Sequence, residues 1–168
     1  MLPYKGSTII NHCLQNALNA NCNIIVVAGY RGEELRANIP EDEHIKIVSN
    51  PGFRTGMVSS IIKGLKYVNA SHFFITHADM PLIPVQVFED LATKRSNQIL
   101  FPEFENKTGH PVLIPRQFMG IFSGDRTGKG MKAILKQYPY KSLPVKARSI
   151  HIDIDTPEAY RKLLDQSI

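Results

Sequence analysis

Residues 23–29, NIIVVAG, run apolar and β-branched without a polar break and stop at glycine. A strand that faces water on one side alternates polar and apolar residues. This one does not, so it reads as a strand buried on both faces, the kind found where helices cover a sheet above and below. It is flanked by residues of helical period. Before it, Ile10, Cys13, Leu14, Ala17 and Leu18 fall on one helix face; after a weaker strand, IKIVS (45–49), come Val58, Ile61, Ile62 and Leu65. The alternation continues with FFIT (73–76) and with a helix through Phe88, Leu91 and Ala92 that Pro84 can begin. The short strands QILFP (98–102) and PVLIP (111–115) follow, then a helix through Met131, Ile134, Leu135 and Tyr138. The strand SIHIDI (149–154) leads to a last helix with Thr156 as N-cap and Pro157 at its first position. Strand–helix alternation predicts an α/β fold, Rossmann-like, with a mainly parallel sheet flanked by helices in a single domain over residues 1–168.

A chain of 168 residues, 43% apolar and 21% charged, is long enough to bury about 70% of its unfolded surface. Its longest apolar runs fall short of the ~20 residues a membrane span needs, and MLPYKGST carries no apolar signal core. Two cysteines, Cys13 and Cys22, without CxxC spacing suit a reducing compartment, so a cytoplasmic location is expected. The net charge of +5 favours anionic ligands, phosphates included. The lysines and arginines are scattered, with no basic run interleaved with aromatics, and this excludes nucleic acid as the expected partner.

In α/β sheets ligands bind outside the carboxyl ends of the strands. Asp79 stands there, in FFITHADMPLI (73–83), where an apolar strand breaks off ahead of Pro81 and Pro84. Asp153 and Asp155 close another strand, and strand alternation puts both on one face. With Asp79 they can converge on one divalent cation, since hard carboxylate oxygens suit Mg²⁺ bound together with phosphates. An Asp at a strand end equally serves a turn or cap by bonding nearby amides.

NPGFRTGMVSSIIKGL (50–65) shapes a loop with Pro51, Gly52 and Gly56 before a helix introduced by Ser59 and Ser60. Amides and hydroxyls there can take a base edge or an anion, or simply cap the helix. SGDRTGKGMKAIL (123–135) is no phosphate loop: Gly124 and Gly128 enclose too few residues, and Gly130 stands where Ser or Thr should follow Lys129. It reads as a basic loop able to meet an anionic substrate. GYRG (29–32) reads as a tight turn between strand and helix. His110 stands between Gly109 and Pro111, held by a stiff backbone. Cys13 lies on an apolar helix face and Cys22 has no base nearby, so neither reads as a nucleophile.

Taken together, NPGFRTGMVSSIIKGL, FFITHADMPLI, TGHPVLI, SGDRTGKGMKAIL and DIDTPEAY, in that order, resemble the MobA-like nucleotidyltransferases. The branch they look most like is the molybdenum cofactor cytidylyltransferases, over about Leu2 to Leu164. The resemblance implies a fold of the nucleotide-diphospho-sugar transferase type and transfer of CMP from CTP to a molybdopterin-type cofactor with release of pyrophosphate, using Mg²⁺. It implies metal and catalytic carboxylates at Asp79 and Asp155, with Asp153 as a further metal ligand. It places the nucleotide at Gly56, Met57 and Ser60 and the acceptor at Gly109 and His110. The base, CTP or GTP, stays open, and a molybdenum hydroxylase apoenzyme is the implied recipient.

The family pattern begins with a strand and a Gly-rich loop of the AAGxSxRMG type, ahead of the LP that here is Leu2-Pro3. The expectation is therefore an N-terminally truncated member lacking roughly twenty residues, a strand plus its phosphate-cradling loop. Strands 23–29 and 73–76 would then face each other across a gap, closed by rearrangement or by self-association through unpaired edges. On that expectation a non-catalytic nucleotide- or cofactor-binding protein stands beside the transferase. A sugar-phosphate or isoprenoid-precursor nucleotidyltransferase is a third reading.

Overall fold

A computed structural model describes residues 1–124 and 130–165. The segment 125–129 of the basic loop lies outside the described residues. A hairpin of β1 (Pro3–Tyr4) and β2 (Ser7–Thr8) leads into α1 (Ile9–Asn19), where the Thr8 hydroxyl accepts from the Asn11 amide as an N-cap. There follow β3 (Ile24–Ala28), α2 (Gly32–Asn38), β4 (Ile45–Ser49) and α3 (Met57–Leu65). The next stretch holds β5 (His72–Ile75), α4 (Val85–Thr93), β6 (Ile99–Phe104), β7 (Lys107–Thr108) and β8 (Val112–Pro115). Then come α5 (Met131–Leu135), β9 (Tyr140–Pro144) and α6 (Pro157–Asp165), with 3-10 turns at Phe53–Thr55, Arg116–Gly124 and Arg148–His151. Thr156 caps α6 through its hydroxyl and Pro157 opens it, as expected. Among the described residues no helix is long and apolar enough to cross a membrane.

The α/β architecture is the expected one, but its strand directions are mixed rather than mainly parallel. β3 and β4 pair in parallel, and so do β6 and β9. β8 runs antiparallel to both β5 and β6. The reversal comes from Glu105 and Asn106, both at positive φ (50° and 60°), which close a two-residue hairpin between β6 and β7. Two adjacent left-handed residues are what such a tight turn demands. The expected strand 149–154 is a 3-10 turn at Arg148–His151 followed by irregular chain, because Ile154 bonds the Asp79 carbonyl rather than a strand ladder. The strand that pairs with β6 instead is β9.

The larger sheet carries the core. Ile99, Phe101, Val112 and Ile114 pack on one face with Leu65, Phe122, Ile134 and Leu135. Leu100 and Leu113 point to the other, against Phe88, Leu91 and Ile150. Each such side chain contributes roughly 1.5–3 kcal/mol on burial. β3 is different. Among the described residues it pairs with β4 alone and its other edge is unpaired, and Ile24, Ile25 and Val27 are only half-buried, not covered on both faces as the run suggested. α3 lies close over it, with Gly64 leaving room for Val27. β3 and β5, the strands expected to face across a gap, belong to separate sheets.

Candidate functional site

β5 stops at Ile75, and Pro81 and Pro84 keep the chain from entering a helix before Val85. Between them Met80 and Ile83 are buried and pin the loop just after Asp79. α1 holds it from behind: the Asn16 amide donates to the carbonyls of Pro81 (2.9 Å) and Ile83 (3.0 Å), and the Cys13 thiol donates to Ala78 (3.3 Å). Burial pushes the Cys13 thiol up to about 12, with the Asp79 charge adding to the effect, so it stays a protonated packing group. The Asp79 carbonyl accepts from the Ile154 amide at 2.9 Å, and this tie brings the 153–155 segment to the strand end.

The Asp79 side chain is 43% exposed, yet its Oδ1 is buried and has no hydrogen-bond partner. His77 Nδ1 is nearest among the cationic groups, at 3.9 Å. A buried carboxylate oxygen left alone is costly unless something outside the protein completes it. An open pocket of about 280 Å³ runs along Ala78, Asp79 and Ile154, with Ile9, Ile10 and Leu35 on its apolar side.

His110 lies at the same end. Its amide donates to the Ile150 carbonyl (3.0 Å), and a Cβ on Gly109 would stand 2.4 Å from that oxygen, so only glycine lets the chain approach so closely. His110 Nδ1 faces the Ile75 carbonyl at 3.4 Å. A carbonyl only accepts, so the neutral ring carries its proton on Nδ1. Burial, and next the neighbouring His77, lower the His110 ring to about 4, against a smaller opposing pull from Asp153. The rings of His77 and His110 stand 4.3 Å apart.

Asp79, His110 and Asp153 therefore share one neighbourhood. Asp153 and Asp155 are exposed on either side of buried Ile154, and among the described residues no three His, Cys, Asp or Glu side chains gather closely enough to hold a metal by themselves. The expected convergence of three carboxylates is replaced by the single unpartnered oxygen of Asp79. That still fits Mg²⁺, which commonly takes one or two carboxylates and completes its shell with water and substrate phosphates.

The second loop begins where β4 ends. Asn50 is 6% exposed, and its amide donates to the hydroxyls of Ser59 and Ser60 (3.0 Å each) while its Oδ1 accepts from the Gly52 amide (3.1 Å). Gly56 turns the chain into α3 at φ +107°, with open space around its Cα, and Met57 is exposed beside it. Ser60 thus sits at the helix start, its hydroxyl oriented by Asn50.

Sequence reasoning missed Asn50, His77 and Lys132. Asn50 opens the NPG turn, which reads as a loop residue until the serines nine and ten positions on are seen to fold back on it. His77 precedes Asp79 by two, a spacing that carries no signal without the stack on His110. The Lys132 ammonium donates to the Thr108 carbonyl at 2.8 Å, and nothing in sequence joins those residues.

Residues 1–142 match the family model of the MobA-like NTP transferase domain. Among curated relatives, the chain is 29% identical over 160 residues to the molybdenum cofactor cytidylyltransferase of Escherichia coli K12, covering 95% of this chain and 83% of that protein. It is 25% identical to the nicotine blue oxidoreductase of Paenarthrobacter nicotinovorans, covering 98% and 86%. Among solved structures, the manganese complex of Rv0371c from Mycobacterium tuberculosis H37Rv superposes with a TM-score of 0.85 at 22% identity, covering 98% of this chain and 90% of that one.

Proposed function

The chain belongs to the MobA-like NTP transferase domain family, and from that premise we propose that it transfers CMP from CTP to the terminal phosphate of a molybdopterin-type cofactor. In this reaction an acceptor phosphate oxygen bonds to the α-phosphorus of CTP, the bond to the bridging oxygen breaks, and pyrophosphate leaves. Such a displacement asks the protein for positioning and charge neutralisation, with little covalent work.

The observation that carries the reading is Asp79: a buried, unpartnered carboxylate oxygen at the carboxyl end of β5, in an open pocket, on a loop held rigid by α1 and Ile154. Asp79, with Asp153 or Asp155, would hold a divalent cation, Mg²⁺. When bound there, the ion supplies Lewis-acid neutralisation of the α-phosphate. Asn50 fixes Ser60 toward the base, while Gly56 and Met57 leave the loop open for the nucleotide. His110, set by Gly109, presents its unprotonated Nε2 on the acceptor side. The choice of cytidine and of the pterin acceptor follows the name of the Escherichia coli relative. A molybdenum hydroxylase is then the natural recipient of the product.

Calorimetric titration of the chain with CTP and GTP, each with and without Mg²⁺, tests the reading. The expected result is binding that requires Mg²⁺ and prefers CTP. Binding of neither nucleotide, or binding indifferent to the metal, would overturn it.

A further inference from the structure

On the nucleotidyltransferase reading a phosphate nucleophile must approach two carboxylates, and a cation beside that path offsets the repulsion. Asp79 and Asp153 are carboxyl side chains, and burial, then His77, favour the neutral form of His110. Among the described residues Lys132, on α5, is a cation that acts on His110. One of its three protons goes to the Thr108 carbonyl at 2.8 Å, which fixes the ammonium while leaving two donors. The side chain is exposed, so a ligand can reach it. Burial, and next Lys136, lower its affinity for the proton. Thr108 itself is 8% exposed, and its Oγ1 is buried without a hydrogen-bond partner among the described residues. An unsatisfied hydroxyl is a standing cost to the fold, and a valine of the same shape would avoid it.

Resting on the reading of the chain as a nucleotidyltransferase, we propose that Lys132 and Thr108 form a phosphate subsite beside His110, taking the phosphomonoester of the acceptor. Thr108, Gly109 and His110 are consecutive, so one short segment presents the hydroxyl, the close backbone turn and the neutral ring in sequence. The lysine supplies the charge that draws a dianion toward the carboxylates. The triphosphate of the nucleotide is the other phosphate that could occupy the subsite, and the test separates the two.

Phenyl phosphate, a phosphomonoester without a base, is titrated calorimetrically into the whole chain, its Lys132→Met, Lys132→Arg and Thr108→Val variants, with Mg²⁺–CTP titrated in parallel. Lys132→Met is expected to weaken phenyl phosphate about 10-fold or more, the size of a lost hydrogen bond to a charged group. Lys132→Arg restores most of the loss, and CTP affinity changes less than twofold. Thr108→Val weakens phenyl phosphate by roughly 3-fold or more while raising Tm by roughly 2–6 °C, a pairing that a purely structural threonine does not produce. Unchanged phenyl phosphate binding in Lys132→Met, or no binding to the parent chain, would overturn the proposal. An equal loss of CTP affinity would overturn the acceptor assignment in favour of the triphosphate. Lysine-dependent phenyl phosphate binding in a chain that takes no nucleotide would leave the subsite standing and remove the nucleotidyltransferase reading instead.

Discussion

At the end of β4, Asn50 is buried and each polar atom of its side chain has a protein partner, in Ser59, Ser60 and Gly52. At the end of β5, Asp79 is held just as firmly through its backbone, yet its Oδ1 is buried alone. Both residues follow the carboxyl end of a strand, and both sit beside glycine- or proline-rich turns. The difference is what their polar atoms are for. Asn50 shapes the chain, so the chain satisfies it. Asp79 keeps an oxygen that no hydrogen bond satisfies among the described residues. The two sheets differ in the same sense: β6 and β8 are closed on both faces by apolar side chains, while β3 and β4 stay half-open beside the loop that Asn50 shapes.

The contrast breaks first at Asp79. Asp79→Asn is expected to cut turnover by at least ~100-fold, the usual cost of one preorganised electrostatic group, with Tm little changed because the side chain is 43% exposed and its Oδ1 makes no hydrogen bond among the described residues. Steady-state assays beside thermal melts check this. A loss below threefold in a folded variant removes Asp79 from the mechanism.

Asn50→Ala should behave the other way round. Loss of three hydrogen bonds costs about 3 kcal/mol, or a Tm lower by roughly 6–12 °C for a chain of this size, with turnover at low temperature reduced mainly through KM for the nucleotide. A Tm drop under 2 °C would mean the loop is held by something else.

His110 gives the smallest effect, and it is a pH effect. Its folded-state value of about 4 lies below the ordinary 6.5, so between those values the unfolded chain binds the proton and the folded chain does not. Stability is full above pH 6.5 and is lost as pH falls toward 4, on the order of 2 kcal/mol after allowing for partial exposure. Denaturant melts from pH 7 to 4 should show this slope, and His110→Asn should flatten it. An unchanged slope in His110→Asn assigns the dependence elsewhere.

Several of these features were legible before any coordinates. The helix face of Ile10, Leu14 and Ala17, the strand 24–28, the Thr156 cap and the carboxylate at the end of 73–76 all follow from local periodicity and turn chemistry. The sequence was less informative where distant partners decide. Residues 149–154 alternate like a strand, but Ile150 packs among Leu100, Leu113 and Phe88, and Ile154 is tied to Asp79, so the segment coils. Tyr140–Pro144 is too polar to read as a strand until β6 offers it a ladder. Asn50 and Lys132 act over separations that no periodicity encodes.

The central claim is that the lone oxygen of Asp79 holds a divalent cation against the triphosphate. Electron paramagnetic resonance titration with Mn²⁺ as the probe, with and without CTP, on the parent chain and Asp79→Asn, tests it most directly. The account predicts Mn²⁺ binding that is strong only with CTP present and at least ~10-fold weaker in Asp79→Asn. Equal Mn²⁺ binding by the two proteins in the presence of CTP would contradict it.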